Sequence, residues 1–258
     1  MNAIFALAGV VIKELYRRKD FYVLFILTVL ITLLMAWANL FNDDKIVRYL
    51  KEICLLLIWV SALVMAVGIA ARQIPAEREN RTIFPLLAKP VTRAHVIVGK
   101  FLGCWLACAM ALIVFYLFLG VVSASREHQW LIANYFQAMW MHWMFLAVVI
   151  AMVLLGSIVF AAPSSNATIS LVVVIGILLL GGHLNRVALD HPEPSRSIIY
   201  TLYFMLPHLE WFDVRDLVIH NKGLVDWLDC GLATLYAAAY TAVFLFIAWL
   251  RFRRKALN

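Results

Sequence analysis

The chain has 258 residues, of which 65% are hydrophobic and only 14% charged, with a mean hydropathy of +0.90. Soluble domains carry about 25% charged residues, so this composition excludes a water-soluble fold and indicates an integral membrane protein. The formal net charge of +7 reads as membrane orientation and calls for no nucleic-acid partner.

Residues 2–19 form the first predicted element. Ile4, Phe5, Ala8, Val11, Ile12, Leu15 and Tyr16 recur at helical spacing, and the cations of "KELYRRKD" follow the apolar run. A secretory signal has its cations first. The segment is therefore read as an amphipathic helix along the membrane surface, with Lys and Arg at the headgroups; a seventh, partial span is the alternative.

Six uncharged apolar windows then follow, each near the roughly 20 residues needed to cross a hydrocarbon core. They cover 21–40, 53–71, 101–123, 138–162, 167–182 and 230–250, the fifth being short. Of the 22 Lys and Arg, 14 fall in the N-terminal segment, the 72–100 connection and the tail, while 11 of the 15 acids lie in the other connections. This bias places both termini and the 72–100 connection in the cytoplasm, in a multi-pass inner or plasma membrane protein. No window holds an Asp, Glu, Lys or Arg in its interior, and only His142 offers an imidazole there. That argues against a proton-relaying pump or an ion-coupled carrier, which place such groups in their spans. Neither does any Ser or Cys have a visible base that would make it a nucleophile. Gly99-Lys100 precedes Phe101, so it is not a P-loop, and the chain is predicted to be no enzyme and to have no ATP site of that kind.

The connection between the second and third windows, "ERENRTIFPLLAKPVTR", holds most of the chemistry. Burying the eight charges between Arg72 and Lys100 at the bilayer centre would cost on the order of 20 kcal/mol, so 72–98 stays in water. Thr82 can cap a short helix, Pro85 fits its first turn and Pro90 stops it. So short a helix is unstable alone and requires a surface. Ile83, Phe84, Leu86 and Leu87 would supply the apolar contacts, inside a collar of Glu77, Glu79, Arg81, Lys89 and Arg93, the pattern of a protein interface. A solvated loop obeying the charge rule is the plainer alternative, but prolines bracketing an apolar turn favour the interface. Thr92 can cap a further helix running through "HVIVGKFLG" into the third span, with His95 solvated.

In the fourth window, "MWMHWM" offers sulfur and imidazole to a soft metal. Met139 and His142 share a helix face while Met141 and Met144 point away, so a Trp-rich packing helix is preferred and Met139 and His142 stay weak candidates. Cys54, Cys104, Cys108 and Cys230 have neither zinc nor disulfide spacing and are read as structural. The sequons at Asn80 and Asn166 fall on the cytoplasmic side and should carry no sugar. In the outer connection, 183–227, Ser197 can cap a helix that Pro207 ends, and 211–219 makes a second amphipathic segment at the outer leaflet. This pair is read equally as a gate on an exit path or as a lid that touches no substrate.

"ERENRTIFPLLAKPVTR" followed by "VIVGKFLG" resembles the cytoplasmic segment of type-2 ABC transporter permeases, where an acidic pair, a Thr, a Leu-Leu, a Lys-Pro, an Arg and a Gly-Lys recur in that order. It is most similar to the subgroup related to multicopper-enzyme maturation. The "KELYRRKD" start, six spans and the late "LPHLEWFDVRD" agree with that family; Arg81 departs from it, since many members have Gly there. The resemblance implies that 82–88 is a coupling helix seated in a separate ATPase, with Glu77, Glu79, Arg81 and Arg93 making polar contacts at its edge. It also implies two ATPase copies that hold ATP and Mg, a second permease in a homodimer, and transport in the export direction.

The expectation is thus an all-α polytopic protein, one permease domain over 1–258. It comprises six transmembrane helices, an interfacial helix (2–19), a coupling helix within 72–98 and short external helices within 183–227. A membrane scaffold holding a periplasmic maturation or assembly factor without transport is the alternative.

Overall fold

The computed structural model describes residues 2–17, 19–37, 43–79, 92–127, 131–190 and 192–254. Among them every regular element is helical: α1 (Asn2–Arg17), α2 (Asp20–Trp37), α3 (Asp43–Arg72), α4 (Pro75–Glu79), α5 (Arg93–Glu127), α6 (Ile132–Val159), α7 (Pro163–Asp190), α8 (Ser195–Met205), a 3-10 turn (Leu209–Phe212), α9 (Arg215–Ile219) and α10 (Trp227–Arg254). Among the described residues five helical stretches are long and apolar enough to span a membrane, Val47–Glu79, Arg93–Ser125, Ile132–Val159, Pro163–Gly181 and Trp227–Arg254. They overlie the second to sixth windows. The first window corresponds to α2, whose apolar part, Phe21–Leu34, is shorter; positions 38–40 of that window lie outside the described residues.

The helices outrun the windows. Charged residues end a hydropathy window but not a helix, whose backbone bonds continue wherever side chains can reach water. Thus α3 starts at Asp43, well before 53, and α7 continues past 182 to Asp190. With 35 residues, α5 is about 50 Å long at 1.5 Å per residue, longer than the roughly 30 Å hydrocarbon core.

Burial explains the packing order. Every residue of α6 from 144 to 151 is buried, so this helix, apolar all round, stands at the centre. Around it, α3 presents Ala62, Ala66 and Ala70 while α5 presents Cys104, Ala107, Cys108 and Ala111, all at 2% exposure or less. Small residues one turn apart let the backbones approach closely. Trp105 on α5 and Trp143 on α6 stack at 4.1 Å between ring centres, and each donates its indole N–H to the other's backbone carbonyl, at 3.2 and 3.0 Å. This satisfies both indoles where no water is available. By contrast α2, α7 and α10 turn Leu30, Leu33, Val172, Leu179, Leu235 and Phe246 outward, as suits an apolar solvent. Thr28 and Thr32 in α2 bond back to the carbonyls of Leu24 and Thr28 at 2.9 and 2.7 Å, which removes the cost of a bare hydroxyl in lipid.

Helix α1 forms as expected over Asn2–Arg17, and the middle of its apolar stripe packs against α5 while Phe5 stays exposed. Ala8 and Val11 are 2% and 0% exposed. A Cβ at Gly103 would lie 2.7 Å from Val11 Cβ, and one at Gly99 2.8 Å from Leu7 Cβ. Only glycine at these two positions permits the crossing, a Gly-x-x-x-Gly contact.

The outer connection differs from expectation in two ways. α8 begins at Ser195, two residues before Ser197, because Glu193 supplies the capping acceptor: its Oε2 receives the Ser197 N–H and hydroxyl at 3.3 and 2.7 Å. Then 211–219 is not one helix but the end of a 3-10 turn followed by α9. Asp213 Oδ1 accepts the Arg215 N–H at 3.2 Å, an Asx turn that competes with helix continuation. Asp213 also accepts from the Arg215 guanidinium, raising its pKa above the ordinary value, and that guanidinium lies 5.0 Å over the Trp59 ring. The following turn is tied to the bundle. Gln137 pairs both ends of its amide with the backbone of Val225 at 2.8 and 2.9 Å, and Lys51 Nζ donates to Asn221 Oδ1 at 2.9 Å. Asn221 and Gly223 have φ of 50° and 94°, a left-handed pair suited to Asn and Gly.

Replacing Gly103 by Val should lower stability in detergent by about 1–3 kcal/mol through overpacking against α1. Gly231→Ala, where a Cβ meets nothing within 4 Å, should not. Thermal unfolding of the two variants checks this.

Candidate functional site

Two anchors bracket the charged connection. α3 ends at Arg72, and after Gln73 and Ile74 the buried Pro75 opens α4, a position where its missing N–H costs nothing. Ile74, 2% exposed, enters a small separate core with Ile97 of α5, Ile158 of α6 and Ala248 and Phe252 of α10. This cluster gathers the ends of four elements below the connection.

On α4, Glu77 turns inward. Its Oε1 lies 2.5 Å from Lys100 Nζ, with side-chain exposures of 17% and 5%. One acid of the pair, Glu77, and the lysine of the Gly-Lys therefore meet as a partly buried ion pair across the α4–α5 gap. Glu79, one turn end further, is exposed.

The second anchor starts α5. The Thr92 hydroxyl accepts the His95 N–H at 3.3 Å, and His95 Nδ1 accepts the Thr92 N–H at 3.4 Å, a reciprocal cap at a position where His95 stays partly exposed. Next to it, Arg93 Nη1 donates to the carbonyls of Phe252 and Arg253 at 2.5 and 2.9 Å, with its guanidinium 5.4 Å over the Phe252 ring. A cation on the last carbonyls of α10 opposes the negative end of that helix. Between the anchors, Arg81, Thr82, Ile83, Phe84, Leu86, Leu87 and Pro90 lie outside the described residues.

A third fixture sits beneath. Asn166 of α7, 0% exposed, donates through Nδ2 to Val153 O of α6 at 3.1 Å and to Ala71 O of α3 at 3.4 Å, and its Oδ1 accepts the Ser170 hydroxyl at 3.2 Å. Buried in this way, the Asn166 sequon is closed to modification in the folded protein.

The remaining candidates lie elsewhere. His142, 1% exposed, stacks on Trp59 at 5.1 Å with its Nδ1 3.4 Å from the Tyr116 hydroxyl. Met139 packs at the edge of the main core, with Met141 and Met144 inside it. Among the described residues no group of three or more His, Cys, Asp or Glu could hold a metal ion. All four cysteines are free and buried.

The pattern of spans and anchors extends along nearly the whole chain, and so does the match to a family model, that of the ABC-2 family transporter proteins, over residues 10–257. The chain belongs to this family. No curated protein matches it. As an ABC-2 family member it is a transmembrane transporter subunit, of a kind that generally lacks its own ATP site, and membership implies an ABC ATPase partner.

In this ABC-2 subunit, sequence reasoning had found the cap at Thr92 but not the partners of Glu77 and Arg93. The spacing Gly99-x-x-x-Gly103 was the one local signal for the α1–α5 crossing. The Glu77–Lys100 pair and the Arg93 contacts had none, since both join elements that are remote until the bundle packs.

Glu77→Gln leaves the buried Lys100 ammonium without its anion and should cost about 3 kcal/mol. Adding Lys100→Met should recover most of that loss, as read by the thermal midpoints of the single and double variants.

Proposed function

We propose that segment 80–91 docks on a separate ATPase and that its displacement passes directly into α5, so that ATP hydrolysis on the partner moves a substrate across the membrane. The observation that carries this reading is the double tether. One end of the segment is held by Glu77 on Lys100 and the other by the Thr92 cap and Arg93, and both attachments converge on the first turns of α5. A force applied at either attachment reaches a helix that runs unbroken to Glu127.

In this reading Ile83, Phe84, Leu86 and Leu87 are the apolar anchors in the ATPase groove, Thr82 and Pro90 bound the docking turn, and Glu79 and Arg81 form its polar rim. Glu77 and Arg93 serve as internal tethers, because their side chains face Lys100 and α10. The end of the bundle carrying this segment faces the cytoplasm, two copies of the chain pair with two ATPases that hold ATP and Mg, and transport runs in the export direction. The cycle biases a two-state membrane element by nucleotide.

Purification of the full complex tests the docking turn. The ATPase should co-purify with the wild-type chain, and Leu86→Asp should weaken its retention by about thirtyfold or more, the scale of an interface hot spot. Equal retention by the variant would remove the docking assignment and favour the scaffold reading.

A further inference from the structure

Where α1, α2 and the middle of α5 meet, they leave an open cleft of about 680 Å³. Its walls are apolar, with Ile12, Phe21, Met110 and Val114, and Lys13 and Arg17 stand at its edge. These two cations are one turn apart on α1 and so share a face. Both are exposed, and no ion pair engages them among the described residues. We propose that this cleft seats one anionic phospholipid, its acyl chain on the apolar walls and its phosphate between Lys13 and Arg17.

Charge complementarity selects the occupant. A cation pair beside an apolar wall at the start of α2 matches a headgroup joined to a hydrocarbon tail, and a cation near the lipid headgroups contributes to anionic-lipid binding individually. Rigidity favours a seat over a passing contact, because Gly99 and Gly103 lock α1 onto α5 and so fix the cleft's width. Two other apolar clefts, along Phe25 to Leu34 of α2 and between Trp140 and Leu235, have no cation among their described lining residues. A fourth, at the foot of α10, has Arg251 and Arg254 and serves as the internal control. The seat is independent of whether α5 transmits force.

The test uses the full chain in neutral detergent, titrated with phosphatidylglycerol, then phosphatidylcholine of the same chain length, then inorganic phosphate, and read by native mass spectrometry. Phosphatidylglycerol should bind more tightly than phosphatidylcholine. The double variant Lys13→Gln with Arg17→Gln should lose about thirtyfold in phosphatidylglycerol affinity, from two cations of about 1 kcal/mol each, with phosphatidylcholine unchanged. Val114→Trp, at a position 39% exposed, should fill the cleft and weaken both lipids while the protein stays monodisperse. Equal binding of the two lipids would overturn the proposal, as would full retention by the double variant. So would a loss that follows Arg251→Gln with Arg254→Gln instead, or displacement of phosphatidylglycerol by inorganic phosphate at equal concentration.

Discussion

A lysine ammonium that is 4% exposed at the mouth of an apolar bundle is best tolerated beside an anion, because desolvation of the bare charge costs several kcal/mol. Lys100 meets that condition through Glu77, and much of the molecule's arrangement at this end follows. To bring Glu77 there, α3 must stop, the chain must turn at Gln73 and Ile74, and α4 must lie against α5. Ile74 then falls into the small core with Ile97, Ile158, Ala248 and Phe252. The ion pair and the apolar cluster hold the same junction by different physics, one directional and one not. Each limits the positions the charged connection can take.

Above this junction, α5 integrates the fold. It carries Lys100 for the ion pair, Thr92 for its own cap and Arg93 for the end of α10, then Gly99 and Gly103 for α1 and Trp105 for α6. Any movement imposed on its first turns must therefore be shared with α1 and α10. At the opposite end the outer connection is fastened by backbone pairing to Gln137 and by Lys51 on Asn221. The bundle is thus tied at both ends, with lipid-facing α2, α7 and α10 at its margin.

The spans themselves were legible because lipid leaves a long apolar run few alternatives to a helix. The cap at Thr92 was legible too, since a Thr three residues before a polar acceptor acts within one turn. The amphipathic start was only half legible. Its periodicity located α1 correctly, yet a one-dimensional pattern does not say whether an apolar stripe meets lipid or another helix, and Ala8 and Val11 met Gly103. In the outer connection the break at Asp213 was missed, because apolar periodicity over 211–219 outweighed the side chain that competes for the backbone N–H of Arg215.

By itself the sequence determined the solvent, the order of the helices, the asymmetry of charge and the local caps, because each depends on residues close together in the chain. Tertiary structure decided which charge neutralises Lys100, which carbonyls receive Arg93 and Asn166, and which glycines face α1. Those partners come from separate helices, and their distances are set only when side-chain volumes pack the bundle.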